Sequence, residues 1–180
     1  MNERISRTIL LCEDDPQERL VRSYLKVCGL NTEPPYLVPL NASREVQGGN
    51  VGWVVREFPK QLHACRQRHA TQANTLLVVV ADADSLTVVE RQNHLIAEPP
   101  VTPTDPLVML IPRRHIETWI KAAMGQPVNE TENCKSPAPK KSDVRAASAT
   151  IHGWARNTLQ PGSTCVASLH SALPQWRRIG

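Results

Sequence analysis

Three short runs of this chain are almost wholly apolar, and each stops abruptly at polar or charged residues. Ile9-Leu10-Leu11-Cys12 meets Glu13-Asp14-Asp15; Thr75 to Ala81 (TLLVVVA) meets Asp82-Ala83-Asp84; Leu107 to Ile111 (LVMLI) meets Pro112-Arg113-Arg114-His115. A run without apolar/polar alternation suits a strand buried on both faces, as in parallel sheets covered by helices. A weaker run, Tyr36 to Leu40, contains Pro39, which cannot donate a ladder hydrogen bond and so belongs on an edge strand. Only 4% of residues are aromatic, so Val, Leu, Ile and Ala must fill the core.

The segments between these runs read as helices. Asp15-Pro16 opens one that carries Leu20, Tyr24, Val27 and Cys28 on one face and stops at Gly29. Others run from Trp53 to about Arg68, Leu86 to Leu95, and Ile116 to Gly125. Asp143 caps a helix reaching Leu159, and Thr164 caps a last one through Leu173. Strands alternating with helices predict one α/β domain over residues 1–180, with a mainly parallel central sheet flanked by helices. Glu98 to Pro106 is a proline-rich connector, 126–142 a polar loop, and 143–180 the C-terminal helices.

Composition narrows the function classes. No apolar run approaches the roughly 20 residues of a membrane helix, so no membrane association is expected. The first residues lack a signal-peptide core, which makes the cytoplasm the expected location. Five scattered cysteines without CxxC spacing read as reduced thiols, not as a disulfide framework or zinc site. A net charge of +4 is compatible with a polyanionic partner without demanding one.

The chemistry concentrates where the strands end, the edge at which open α/β sheets place ligands. Glu13 follows the first strand, and Asp82 and Asp84 follow the central one. Brought together, three carboxylates repel one another and raise each other's pKa; a hard divalent cation such as Mg²⁺ relieves that conflict. The competing reading is that each acid caps the helix behind it; Asp14 and Asp15 suit that role best. Glu18, one turn on, is either an outer ligand or a solvated surface residue. His115 suits a general base or phosphate contact, or a structural position at the sheet edge. Cys12 should face the core, as should Trp119, Trp154 and Trp176. Gly48-Gly49-Asn50-Val51-Gly52 reads as a phosphate cradle or a plain turn, and lacks the Lys-Ser/Thr of a nucleotide P-loop.

The ordered set ILLCEDDPQE, VVVADADS and LIPRRHIETWI resembles the Toprim-type catalytic domain, and more narrowly small Toprim-like proteins and the Toprim domains of overcoming-lysogenization-defect nucleases. The resemblance implies a Toprim-like, Rossmann-like fold and Mg²⁺- or Mn²⁺-dependent phosphodiester chemistry on nucleic acid. Glu13, Asp82 and Asp84 fill the metal-ligand positions, and Glu117 near Trp119 matches a third acidic segment. Lys135 is the first candidate for the family's basic catalytic residue, with Arg113 and Arg114 behind it. In the family the first Glu is commonly followed by Gly, where this chain has Asp14. Small Toprim-like proteins also resemble partners of ATPases in defence against phage, which implies an ATPase partner and makes a non-catalytic Toprim-shaped subunit an alternative.

ILLCEDDP also closely resembles the opening of response-regulator receivers, in which Asp82 would have to be the phosphoacceptor. The interval from Asp15 to Asp82 is long for that fold, and the strand ending LIP lacks the expected Lys after it.

Overall fold

A computed structural model describes residues 5–48, 50–72, 74–98 and 100–179. Met1 to Arg4, Gly49 of the glycine-rich segment, Ala73, Pro99 of the connector and Gly180 lie outside the described residues. The described elements run in the order β1 (Arg7–Cys12), α1 (Asp15–Val27), β2 (Leu37–Asn41), α2 (Ala42–Glu45), α3 (Val51–Gln72), β3 (Thr75–Val80), α4 (Val88–Ile96), β4 (Leu107–Leu110), α5 (Ile116–Ala123), α6 (Lys141–Ala155) and α7 (Ala167–Arg177).

The fold is α/β, with a four-stranded, all-parallel sheet in the order β2-β1-β3-β4. β2 pairs only with β1, so Pro39 sits on an edge. Successive side chains of a strand point to opposite faces, and here both faces are covered. Leu10, Cys12, Val78, Val80, Val108 and Leu110 pack toward α1, α5, α6 and α7; Ile9, Leu11, Leu77, Val79 and Leu107 pack toward α3 and α4. That two-sided burial explains the unbroken apolar runs.

The layer under α1 is anchored by aromatics. Tyr24 and Trp176 have ring centroids 4.4 Å apart, Trp119 stands edge-on to Trp176, and the Tyr24 hydroxyl donates to the Trp176 carbonyl at 3.0 Å. Trp119, Trp154 and Trp176 are all buried, and Cys12 faces the core with its thiol pKa pushed up by burial.

Several boundaries differ from the sequence reading. α3 begins at Val51 and runs to Gln72, taking in residues read as loop, and α2 was not expected. Val27 is not on the buried face; it is 37% exposed, while Cys28 packs partly against the core. α6 starts at Lys141, so Asp143 stands inside its first turn, where its carboxylate accepts from the Lys140 N–H at 2.9 Å, and the helix ends at Ala155. Thr164 does not cap α7; its hydroxyl donates to the Ala122 carbonyl, and Val166 occupies the N-cap position. Among the described residues no helix is long and apolar enough to cross a membrane.

Candidate functional site

Because β1 and β3 are neighbours while β2 lies on the far side of β1, the chain reverses direction across the sheet between them, and their C-terminal ends open a crevice. Glu13 and Asp82 stand there side by side. The Asp82 backbone N–H donates to Glu13 Oε1 at 2.6 Å. Both residues are buried, at 9% and 5% exposure. Asp14 caps α1, its Oδ1 accepting from the Gln17 N–H at 3.0 Å.

Gln17 joins the two acids. It is fully buried at the first turn of α1, accepts from the Glu13 N–H at 2.8 Å, and donates through Nε2 to Asp82 Oδ1 at 2.9 Å. The sequence reading missed it. The available signal was its helical spacing ahead of Leu20 and Tyr24, which places it on the buried stripe.

Burial, and then the charge of Asp82, push the Glu13 carboxyl up to about 8, with Asp84 and Asp14 adding to the effect. Burial also holds the Asp82 carboxyl well above the usual carboxylate range, reinforced by the charge of Asp14, Asp84 and Glu117. Asp14 is raised mainly by burial, and the charge of Lys135 opposes the rise. Burial is thus the first cause of all three shifts, and neighbouring carboxylates add to it.

Asp84 sits at the rim, exposed, with φ of +55°, a conformation that Asp adopts more readily than most residues. Two arginines hold this turn. Arg91, buried on α4, donates to the Asp82 carbonyl at 2.9 Å and the Ala83 carbonyl at 3.4 Å. Arg113 donates to the carbonyls of Asp84, at 3.2 Å, and Leu86. Arg91 was also missed, although it lies between Val88 and Leu95 on the inner stripe of α4.

The β3–β4 pairing continues past the strands, with the Ala83 N–H donating to the Pro112 carbonyl at 2.8 Å, and this carries the start of α5 to the same crevice. His115, the N-cap residue of α5, is buried with Nδ1 3.8 Å from Asp82 Oδ2; burial and the charge of Lys135 lower its pKa. Glu117 is buried two residues later. Lys135 is exposed, close enough for its charge to act on Asp14 and His115.

The backup cations are committed elsewhere. Arg113 holds the Asp84 turn, and Arg114 donates to the Thr131 carbonyl. Glu18 is not solvated: it is buried against Arg22, Arg44 and Asn41. Asp15 accepts from Asn41 and Arg44 instead of capping.

Among the described residues, no group of three or more His, Cys, Asp or Glu side chains is arranged as a ready metal cage. Enclosing an ion between Glu13, Asp82 and Asp84 thus requires side-chain rotation, most of all at exposed Asp84. The donor chemistry nevertheless suits a hard cation, being rich in carboxylate oxygen. Glu13 Oε2 and Asp82 Oδ2 are the oxygens outside the Asp82 N–H and Gln17 bonds just described, and two buried atoms, His115 Nδ1 and Glu117 Oε2, have no hydrogen-bond partner. Comparison with family models, curated proteins and solved structures returned no match.

Proposed function

We propose that this chain is a divalent-metal-dependent nuclease of Toprim type that hydrolyses phosphodiester bonds in nucleic acid. The observation that carries this reading is the buried contact between Glu13 and Asp82 at adjoining strand ends, where burial raises both carboxyls and neighbouring acids add to the rise. Such a pair is poised to exchange protons for a cation. Glu13, Asp82 and Asp84 would hold Mg²⁺ or Mn²⁺; when bound, the ion polarises the phosphoryl group and lowers the pKa of a nucleophilic water.

The chain's own residues supply the rest. Gln17 fixes the orientation of Asp82 and the backbone of Glu13. Arg91 and Arg113 hold the Asp82–Asp84 turn so that Asp84 can swing inward from a fixed backbone. Glu117 completes the acidic wall, and Lys135 offsets charge developing on the phosphate from the solvent side. The modest net charge of +4 favours an effector subunit held on its substrate by an ATPase partner, as in anti-phage defence, over a lone processive enzyme.

The test is cleavage by purified protein with Mg²⁺ or Mn²⁺, alone and with any ATPase that co-purifies, against Asp82→Ala. The variant should lose cleavage while keeping its far-UV spectrum and cooperative melt. Retained cleavage removes the assignment, and a chain that binds metal but never cleaves under either condition indicates a non-catalytic partner subunit.

One observation favours a second reading, a receiver domain. The order β2-β1-β3-β4 matches the first four strands of flavodoxin-like sheets, which place an acidic pair and a phosphoacceptor at the same crevice. Stable aspartyl phosphate on Asp82 after treatment with acetyl phosphate would select it.

A further inference from the structure

Away from the carboxylates, helices α1 and α6 pack together and leave between their outer faces a cleft of about 690 Å³. Five cations line it: Arg19, Arg22 and Lys26 from α1, with Lys141 and Arg145 from α6. Among the described residues no acidic side chain lines it. Arg22 is already engaged with Glu18 and the Thr32 carbonyl. The side chains of Arg19, Lys26, Lys141 and Arg145 are exposed and make no hydrogen bond or ion pair among the described residues. Four cations without an acidic partner thus surround one cleft.

We infer that this cleft binds the phosphate backbone of a nucleic-acid duplex. The spacing is regular: Arg19, Arg22 and Lys26 follow one another at i, i+3 and i+7, a stripe about 10 Å long at 1.5 Å per residue. Lys141 and Arg145 form a parallel i, i+4 pair about 6 Å long across the cleft. The Arg19 end of the stripe is the end of α1 that starts directly after Glu13, although Arg19, two positions from buried Gln17, faces away from the carboxylates. Among the described residues no aromatic side chain lines the cleft, which removes the stacking platform that single strands use and leaves phosphate contact as the dominant interaction. Val27 and Val144 form an apolar floor that suits sugar edges without reading sequence. The inference deepens the nuclease reading by assigning the surface that holds its substrate, yet binding itself needs neither metal nor cleavage.

The experiment is fluorescence anisotropy of a labelled 20-base-pair DNA duplex with the full chain in EDTA, from about 50 to 200 mM salt. Four phosphate contacts predict a log–log salt slope near −3.6 and an affinity loss of roughly 100-fold over that range. The triple variant R19E/K26E/R145E should bind at least about tenfold more weakly, with a slope shallower by about 3. Lys60→Glu, on α3 and paired with Glu57, should leave binding unchanged. Equal binding by wild type and a triple variant of native circular dichroism overturns the inference, as does binding of polyglutamate or anionic vesicles as tight as that of duplex. Glu13→Gln separates the two readings: it should retain duplex binding in EDTA while losing cleavage with Mn²⁺. If wild type cleaves but the triple variant binds and cleaves normally, the cleft assignment alone fails; if wild type binds through the cleft and never cleaves, the nuclease reading alone fails.

Discussion

Replacing Glu13 with Gln should stabilise the metal-free protein above neutral pH. Glutamine keeps the size of the side chain and retains an oxygen to accept from the Asp82 N–H, but it carries no charge. In the folded chain the Glu13 carboxyl is raised from 4.5 to about 8. Between those values the folded state holds a proton that the unfolded state has lost. The associated stability is fully present below pH 4.5 and is lost as the pH rises to about 8, at a slope of about 1.4 kcal/mol per pH unit. The total is on the order of 5 kcal/mol, a large share of the 5–15 kcal/mol typical of a domain. Asp82, raised in the same direction, steepens the slope over an overlapping range.

Urea unfolding followed by circular dichroism at about pH 5 and about pH 8.5 measures the difference directly. Glu13→Gln should match wild type at the lower pH and exceed it by several kcal/mol at the higher. A saturating divalent cation should narrow the gap, adding about 2.7 kcal/mol to wild type at 100-fold over Kd and little to the variant. A variant less stable than wild type at about pH 8.5, or a difference that does not change with pH, refutes the view that uncompensated charge is stored at this strand end.

Three further outcomes follow from the same geometry. Gln17→Ala leaves the Glu13 N–H and Asp82 Oδ1 without their partner and should lower stability by about 2–4 kcal/mol in urea melts. Metal affinity, measured by calorimetry, should tighten as the pH rises toward about 8, because binding must displace the Glu13 proton. Far from the crevice, buried Asp105 accepts two hydrogen bonds from Arg66 and one from the Thr102 N–H, each at 2.7 Å, which hold its carboxyl at about 2. Asp105→Asn should lower stability by about 2–3 kcal/mol at neutral pH. That difference should be present above pH 3.8 and fade as the pH falls toward 2.

The strands were legible because burial on both faces permits no polar interruption, so Ile9 to Cys12, Thr75 to Val80 and Leu107 to Leu110 announce themselves in one dimension. The acids that end them were legible for the same reason: a charge directly after such a run must stand at the sheet edge. Polar residues inside helices were not. Gln17 and Arg91 occupy buried stripes, and only the pairing of β1 with β3 shows what they serve. Helix starts failed where a capping residue had more than one way to satisfy backbone groups. Asp143 works from inside the first turn of α6, and Thr164 turns back to α5. The commitment of Arg113 and Arg114 to carbonyls of nearby loops likewise depends on tertiary placement that spacing does not encode.

The central claim is that the strand-end carboxylates form one cation site. Anomalous diffraction from a crystal soaked in Mn²⁺ tests it most directly. A peak is expected in the crevice, bound by Glu13 and Asp82, with Asp84 rotated inward from the rim. No peak there at saturating Mn²⁺, with Glu13 still held by the Asp82 amide and Asp84 still facing solvent, contradicts it.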